Sequence, residues 1–326
     1  MLDPAIFTVR PFQSTDLDYA TMVKLLNQDW PNNPSTVEFW RLSDSKRDPK
    51  HLNRRYIGEI ETVNSKLIVA VGIINKQGLM KDPGKYFIKL YLDKDFKDQG
   101  LGEPLYTHMM TDLADKNPIA LKTETKEDNI SLIELFQQKG FQDNGRPKRY
   151  LELDVMSFDF DPFAGYSEKV TASGIKIVSI QKLKTYDSNW MRKSYDLSTA
   201  IEKEIRNADE YKHIEFDEYV RMFKNVTFLA DANFVAVDGD NYVGLSSLWP
   251  DAVREDLLYV GTTRILQSHR RRGIAAALKL KTIAFAKAYG AKAIQTRTVK
   301  NSPMFTLNKK LGFKPGLTLL FFEKVM

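Results

Sequence analysis

Val260-Gly261-Thr262-Thr263-Arg264-Ile265-Leu266-Gln267-Ser268-His269-Arg270-Arg271-Arg272-Gly273-Ile274-Ala275-Ala276-Ala277-Leu278 is the stretch that decides the fold. It opens β-branched, turns polar, becomes basic, drops to a glycine, and continues as an Ala/Leu/Lys-rich run. That order predicts a strand, a tight turn and a helix N-terminus in succession. The first turn of a helix offers backbone N–H groups without intrahelical partners and the positive end of the macrodipole, so it attracts phosphate. Gly273 is expected to remove a side chain where an anion approaches the backbone, and small Ala275 and Ala276 keep the approach open. Arg270, Arg271 and Arg272 add fixed charge and bidentate donors. The stretch reads as a diphosphate cradle formed by Arg270 to Ala276, Ile274 included.

The surrounding charge agrees. Between Asp256 and Glu323 there is no acidic residue, whereas thirteen Lys and Arg residues fall inside. A stretch of one sign focuses potential toward a polyanion.

Arg270-x-x-Gly273-x-Ala275 resembles the Q/R-x-x-G-x-G/A signature of the GNAT superfamily of N-acetyltransferases, whose backbone amides bind the pyrophosphate of acetyl-CoA. Asn301-Ser302-Pro303-Met304-Phe305-Thr306-Leu307-Asn308-Lys309-Lys310-Leu311-Gly312-Phe313 resembles the closing segment of the same family. The resemblance implies a cofactor, acetyl-CoA as acyl donor, and a primary-amine acceptor, either a small molecule or a peptide. It also implies that Ile265 and Leu266 pair with the pantetheine arm and that Asn301 and Asn308 border the cofactor. One position departs from the family pattern. Where many members carry a tyrosine that protonates the departing thiolate, this chain has Asn308, and a carboxamide releases no proton near neutral pH.

A second copy of the motif lies upstream, at Lys97-Asp98-Gln99-Gly100-Leu101-Gly102. Asn129 to Phe141 then ends in Lys139-Gly140-Phe141, matching Leu311-Gly312-Phe313. Gly100 to Gly273 is 173 residues, Asn129 to Asn301 is 172, and Phe141 to Phe313 is 172. Two copies of one fold account for 326 residues better than one large domain. The expected class is α+β (mixed α/β), with two GNAT-type domains. Each would have a central, mostly antiparallel twisted sheet flanked by helices, with a splayed cofactor cleft. The expected boundaries are 1–156, a linker at 157–174, and 175–326.

The copies differ in charge. Asp93, Asp95, Asp98 and Glu103 crowd the first glycine turn, against Lys94 and Lys97 alone. Carboxylates repel a diphosphate, so the first copy is expected to be a degenerate scaffold and the second to hold acetyl-CoA.

The acid and base are harder to place. The strand from Leu257 to Ile265 carries no carboxylate. Asp256 just before it is the best-placed base, with Glu255, Glu204 and Glu210 behind it. Tyr259 is a candidate acid, and Asn308 a hydrogen-bond donor. Neither His213 nor His269 reads as the base, His269 lying in the turn near the phosphate, and Phe216 to Phe223 reads as a packed helix face.

Composition closes off other classes. The chain has no cysteine, which excludes disulfides, Cys-ligated metals and a cysteinyl-acyl intermediate, so acetyl transfer is expected to be direct. No metal site is expected. The N-terminus lacks a basic region followed by an apolar core, and no apolar run reaches membrane-spanning length, so a cytoplasmic protein without membrane contact is expected. A net charge of +6, confined to one stretch, suits an anionic cofactor better than nucleic acid. The alternative to catalysis is a non-catalytic acyl-CoA-binding sensor or scaffold. The acidic segment from Ala200 to Tyr211 hints at a cationic acceptor such as a polyamine, aminoglycoside or lysine side chain.

Overall fold

A computed structural model describes residues 6–31, 34–47, 49, 51–63, 65–76, 84–204, 214–224 and 227–326. The chain forms two compact units, Met1–Pro147 with Thr318–Met326, and Lys148–Leu317.

In the first unit β1 (Phe7–Pro11) is followed by α1 (Asp16–Asp29) and α2 (Val37–Ser45), each opened by a threonine whose hydroxyl caps a backbone N–H. An antiparallel set follows, β2 (Asn53–Glu61), β3 (Lys66–Asn75) and β4 (Lys85–Leu92). β4 leads into α3 (Gly102–Leu113), then β5 (Ala120–Lys126), α4 (Ile130–Gln138) and the two-residue β6 (Gln142–Asp143). Val69, Ile74, Ile88 and Leu121 of the sheet pack with Leu105, Met109 and Leu113 of α3 in the core. Tyr19, Met22 and Leu25 of α1 pack on Ile57 and Val71 on the other face.

The second unit begins with β7 (Lys148–Asp154) and α5 (Ala164–Ala172). Next come β8 (Ile175–Ser179), α6 (Ile180–Leu183), α7 (Trp190–Lys203) and α8 (Phe216–Phe223). Then come β9 (Asn233–Asp238), β10 (Asn241–Pro250), β11 (Leu257–Ile265), α9 (Ile274–Tyr289), β12 (Ala293–Val299), α10 (Pro303–Lys310) and β13 (Lys314–Val325). The Asp238-Gly239-Asp240-Asn241 turn joins β9 to β10, with Gly239 at φ 58.

The sequence repeats and the compact units do not coincide. β7, which closes the first repeat in sequence, pairs antiparallel with β12 of the second unit, from Lys148↔Val299 to Asp154↔Ala293. β13 from Thr318 onward belongs to the first unit and pairs with β5, from Leu319↔Lys126 to Val325↔Ala120. Each unit is therefore completed by the strand that ends the other repeat. Side chains follow the exchange: Leu151 and Leu153 sit in the second unit's core and Phe322 in the first's. The segment 157–174, expected as a linker, instead holds a helical turn and α5, whose Val170 is buried with Ile274 and Leu278 of α9. Its Phe158, Phe160 and Phe163 carry enough apolar area to fold onto the second core.

Candidate active site

The site begins where two parallel strands part. β11 and β12 pair at three positions only, Leu257↔Ala293, Leu258↔Ile294 and Tyr259↔Gln295. Beyond them the strands diverge, and β11 loses its cover. Leu257 and Leu258 are buried, whereas Tyr259 to Thr263 are half-buried or exposed. On its other edge β11 pairs with β10, but Ser247 faces Thr262 while Leu248 faces Val260. Gly261 is the extra residue, a β-bulge with no register partner on β10. A side chain there has no room, because a Cβ would lie 2.5 Å from Trp249 Nε1 and 2.7 Å from Ser247 Oγ. The Ser247 hydroxyl accepts the neighbouring Thr262 N–H at 3.1 Å. The only sequence signal for the bulge is a glycine inside a β-branched run.

The basic turn follows β11 as expected, and the structure divides its residues into those that build it and those left open. Leu266 donates to the Val243 carbonyl and accepts from His269 N–H, and the Ile265 carbonyl accepts Arg270 Nε at 3.1 Å. Ile265 and Leu266 thus already carry partners within the unit. Arg270 also pairs with Glu204 at 2.7 Å, and the same carboxylate accepts the Gln267 N–H. Glu204, considered above as a base, is committed to pinning the turn. His269 bridges Ser268 Oγ at 2.8 Å and Asp238 at 3.2 Å, which holds it in the turn. Arg272 lies 3.8 Å from Asp238, while Arg271 is exposed with no ion pair among the described residues.

Two left-handed residues, Arg271 at φ 65 and Gly273 at φ 84, swing the backbone into α9. Gly273 is its N-cap, and no side chain caps the amides of the first turn. The reason for the glycine differs from the expected one. A Cβ at Gly273 would meet only Tyr166 and Val170 of α5, at 3.6 and 3.7 Å, which is ordinary contact. The positive φ requires glycine; the space does not. Asn301 is explained in the same way: it sits exposed at φ 63 just before Ser302, which caps α10 through the Phe305 N–H.

The structure does not bring the candidate acid and base residues together. Asp256 lies before the paired end of β11, facing Arg254 at 3.5 Å and Lys292 at 3.7 Å. It is five residues, roughly 16 Å of strand, from the bulge. Tyr259 is nearer, the last residue paired before the fork. Burial and then Asp251 raise its pKa, so its phenol stays protonated through the neutral range. Asn308 is fully buried and donates to Thr298 Oγ1 of β12 at 3.0 Å, leaving its Oδ1 without a hydrogen-bond partner. Glu210 and His213 lie outside the described residues.

The same fork in the first unit is filled. β4 and β5 also pair at three positions, ending at Phe87↔Lys122. Two residues further along each strand, Lys89 and Glu124 form an ion pair of 2.6 Å. The Lys89 ammonium lies over the Trp30 ring at 5.6 Å, and Lys126 reaches from β5 to Asp29 at 2.7 Å. β4 pairs with β3 without a bulge and has no exposed residue along its length. Around the glycine turn, Asp93 is buried toward Lys24 and Gln28 of α1, and Glu103 pairs with Lys139.

Comparison with known proteins agrees with this geometry. The family model for the acetyltransferase (GNAT) family matches twice, at residues 19–141 and 194–313. The chain belongs to the GNAT acetyltransferase family and contains two GNAT repeats. Its mixed α/β fold, built on mostly antiparallel sheet, is shared with solved members. A GCN5-related N-acetyltransferase from Sphaerobacter thermophilus is similar at a TM-score of 0.73 and 14% identity, covering 99% of this chain and 97% of that one. A tandem GNAT protein from the clavulanic acid biosynthesis pathway is similar at a TM-score of 0.69 and 14% identity, covering 98% of each chain. A glucosamine N-acetyltransferase region of a fungal multi-domain β-N-acetylglucosaminidase is similar at 0.73 and 12% identity, covering 99% of this chain and 38% of that one. No curated protein matches the chain in sequence. No helix among the described residues is long and apolar enough to cross a membrane.

Proposed function

We propose that the second unit binds acetyl-CoA and transfers its acetyl group directly to a primary amine. The observation that carries this reading is the fork at Tyr259 and Gln295, open on β11 and followed by an uncapped helix N-terminus. The diphosphate would lie on the α9 amides and the free Arg271, a charge-assisted arrangement. The pantetheine arm would enter between the diverging strands, and a backbone N–H at the Gly261 bulge would donate to the thioester oxygen as negative charge develops there. The amine nitrogen attacks the carbonyl carbon, the C–N bond forms and the C–S bond breaks. Sulfur leaves with the electron pair and takes up a proton, while the ammonium gives its proton to solvent water. No side chain beside the bulge is an evident base, so positioning supplies most of the acceleration. The residues fit the cofactor, and the first unit, with its fork filled, serves as scaffold.

Two matched variants test this. Gly100 and Gly273 both sit near φ 80, so Gly100→Glu and Gly273→Glu impose comparable backbone strain, about 1–2 kcal/mol. Calorimetric titration should find one acetyl-CoA site per chain, lost in Gly273→Glu and kept in Gly100→Glu. Two sites would overturn the scaffold assignment, and none would overturn acyl transfer. The burial of Asn308 favours a second reading, a sensor that holds acetyl-CoA without turnover, because that side chain is not free to reach a thiolate. Tight binding without CoA release in the presence of any amine would select it.

A further inference from the structure

The turn before α9 has a neighbour that the turn before α3 lacks. A Cβ at Gly100 would meet nothing within 4 Å, whereas one at Gly273 would lie 3.6 Å from the Tyr166 ring and 3.7 Å from Val170. Both side chains belong to α5, four residues apart and so on one face of that helix. Val170 is buried with Ile274 and Leu278, which fixes α5 along the first two turns of α9. Tyr166, one turn nearer the start of α5, is half-buried beside the left-handed glycine. Its hydroxyl accepts from the Lys310 ammonium, in the last turn of α10, at 2.7 Å. One tyrosine thus joins the N-terminus of α9 to the end of α10.

The contact orients the lysine without neutralising it. The ammonium is 5.2 Å from the ring centroid and 2.7 Å from the hydroxyl oxygen, so it sits beyond the oxygen at the rim and not over a ring face. A phenol is neutral and takes up one of three ammonium donors. No carboxylate pairs with Lys310 among the described residues. α9 and α10 contain no acidic residue. Glu168, the one carboxylate on α5, lies two residues past Tyr166 and so on the opposite side of that helix. Asp159 and Asp161 precede α5, and Asp159 accepts the Asp161 N–H within its own turn. An exposed lysine left to itself samples many rotamers, whereas this one is tied at its tip. A flat aromatic wall and an oriented ammonium, side by side next to the turn proposed for the diphosphate, are what an adenosine 3′-phosphate requires.

We propose, resting on the acyl-transfer reading, that α5 is one wall of the donor site: Tyr166 packs against the adenosine of acetyl-CoA and positions Lys310 to pair with its 3′-phosphate. The 3′-phosphate and the diphosphate hang on the same ribose, so a cation held one tyrosine's length from Gly273 is within reach of it. The donor is then selected as a nucleotide thioester. An acyl group carried on phosphopantetheine alone, with neither adenine nor 3′-phosphate, forgoes both contacts. Gly100, with open space around it, has no such wall.

Calorimetric titration of CoA and of 3′-dephospho-CoA into the full chain tests this without turnover. The wild type should bind CoA about tenfold more tightly than 3′-dephospho-CoA. Lys310→Met should abolish that preference by weakening CoA alone, and Tyr166→Phe, which keeps the ring and removes the hydroxyl, should reduce it. Tyr166→Leu should weaken 3′-dephospho-CoA as well, through the lost ring. Lys309→Met removes an adjacent exposed charge from the same helix and should keep the preference. Equal affinities in the wild type, a preference that survives Lys310→Met, or an equal loss in Lys309→Met would each overturn the 3′-phosphate assignment. A 3′-dephospho-CoA affinity unaltered in Tyr166→Leu would overturn the wall. Lys310 is exposed, so its variant keeps the test valid if Tyr166→Leu misfolds. Failure of the wild type to bind either ligand would instead overturn the acyl-transfer reading.

Discussion

The two forks of this chain are built alike up to a single step. In each, two parallel strands pair at three positions and then part. Two residues beyond the last pair, the first unit places Lys89 opposite Glu124, and the second places Gly261 and Arg297. In the first, a part-buried ion pair ties the strands and a tryptophan covers the cation. In the second, a glycine bulge lies on one side and an exposed arginine on the other. The lesson is that two repeats can share a fold and a glycine turn while the fork beside the turn is open in one and closed by an ion pair in the other. Gly100, Leu101 and Gly102 are intact, but Gly102 now makes room for Leu135, 3.0 Å from where its Cβ would be, and the turn leads to a closed strand.

Filling the second fork should have the largest effect. Gly261→Val brings a branched side chain against Trp249 and Ser247, at less than contact distance. The bulge must then flatten or the indole must move, and either displaces the backbone donor. Loss of a single such donor costs on the order of 100-fold or more in kcat. Circular dichroism should show a folded protein, and CoA release should fall to background. Full activity would mean that the bulge is not part of the site and that the open fork is only a packing defect.

Breaking the closed fork should be the next largest, and it should cost stability without adding function. Lys89→Ala leaves Glu124, its side chain only 11% exposed, without the ammonium that now meets it. Removing one partner of a buried pair costs about 3 kcal/mol, to be read by urea denaturation. The double variant Lys89→Gly/Glu124→Arg copies the second fork and should recover part of that loss by removing the stranded carboxylate. Neither variant should gain an acetyl-CoA site, because α1 and Trp30 still cover the strand. A second binding event in the double variant would show that this ion pair alone keeps the first unit from acting.

Much of this was legible in the sequence, and the limits have physical reasons. The turn, the helix after it and the repeat could be read because their signals are local: a basic run, a glycine, a helical period, and offsets of 172 and 173. The strand exchange could not, since β7 alternates and β13 carries the apolar run Leu319 to Phe322, and nothing local in either strand names its partner. The segment 157–174 reads as a linker because Asp159, Asp161, Pro162 and Gly165 punctuate it, and only the core contacts of Val170 reveal the role of its helix. The bulge turns on one added residue, visible only in the register with β10. Arg270 and Glu204 are 66 positions apart, so their pairing depends on how α7 returns to the turn.

The smallest expected effect distinguishes the cores beneath the two turns. Six residues after the turn glycine, the first unit has Tyr106 against Phe141 at 6.2 Å, and the second has Lys279 with its ammonium 5.0 Å from the Phe313 ring. Both polar groups are buried, and burial raises the tyrosine pKa while it lowers that of Lys279 to about 7. Only the second therefore titrates in the neutral range. Below pH 7 folded Lys279 is charged and its burial penalty is complete. Between pH 7 and the ordinary value of 10.5 the unfolded chain holds a proton that the folded one does not. Stability from this group thus rises with pH across that window and levels off above it. Lys279→Met should remove the rise, lowering proton uptake on unfolding by about one and raising Tm most at neutral pH and below. The gain should close as pH approaches 10.5, and Tyr106→Phe should show no such dependence in that range. A Lys279→Met protein less stable than the wild type at every pH would mean that the ammonium is paired in solution, and that the second core, like the first fork, is held by a charge contact.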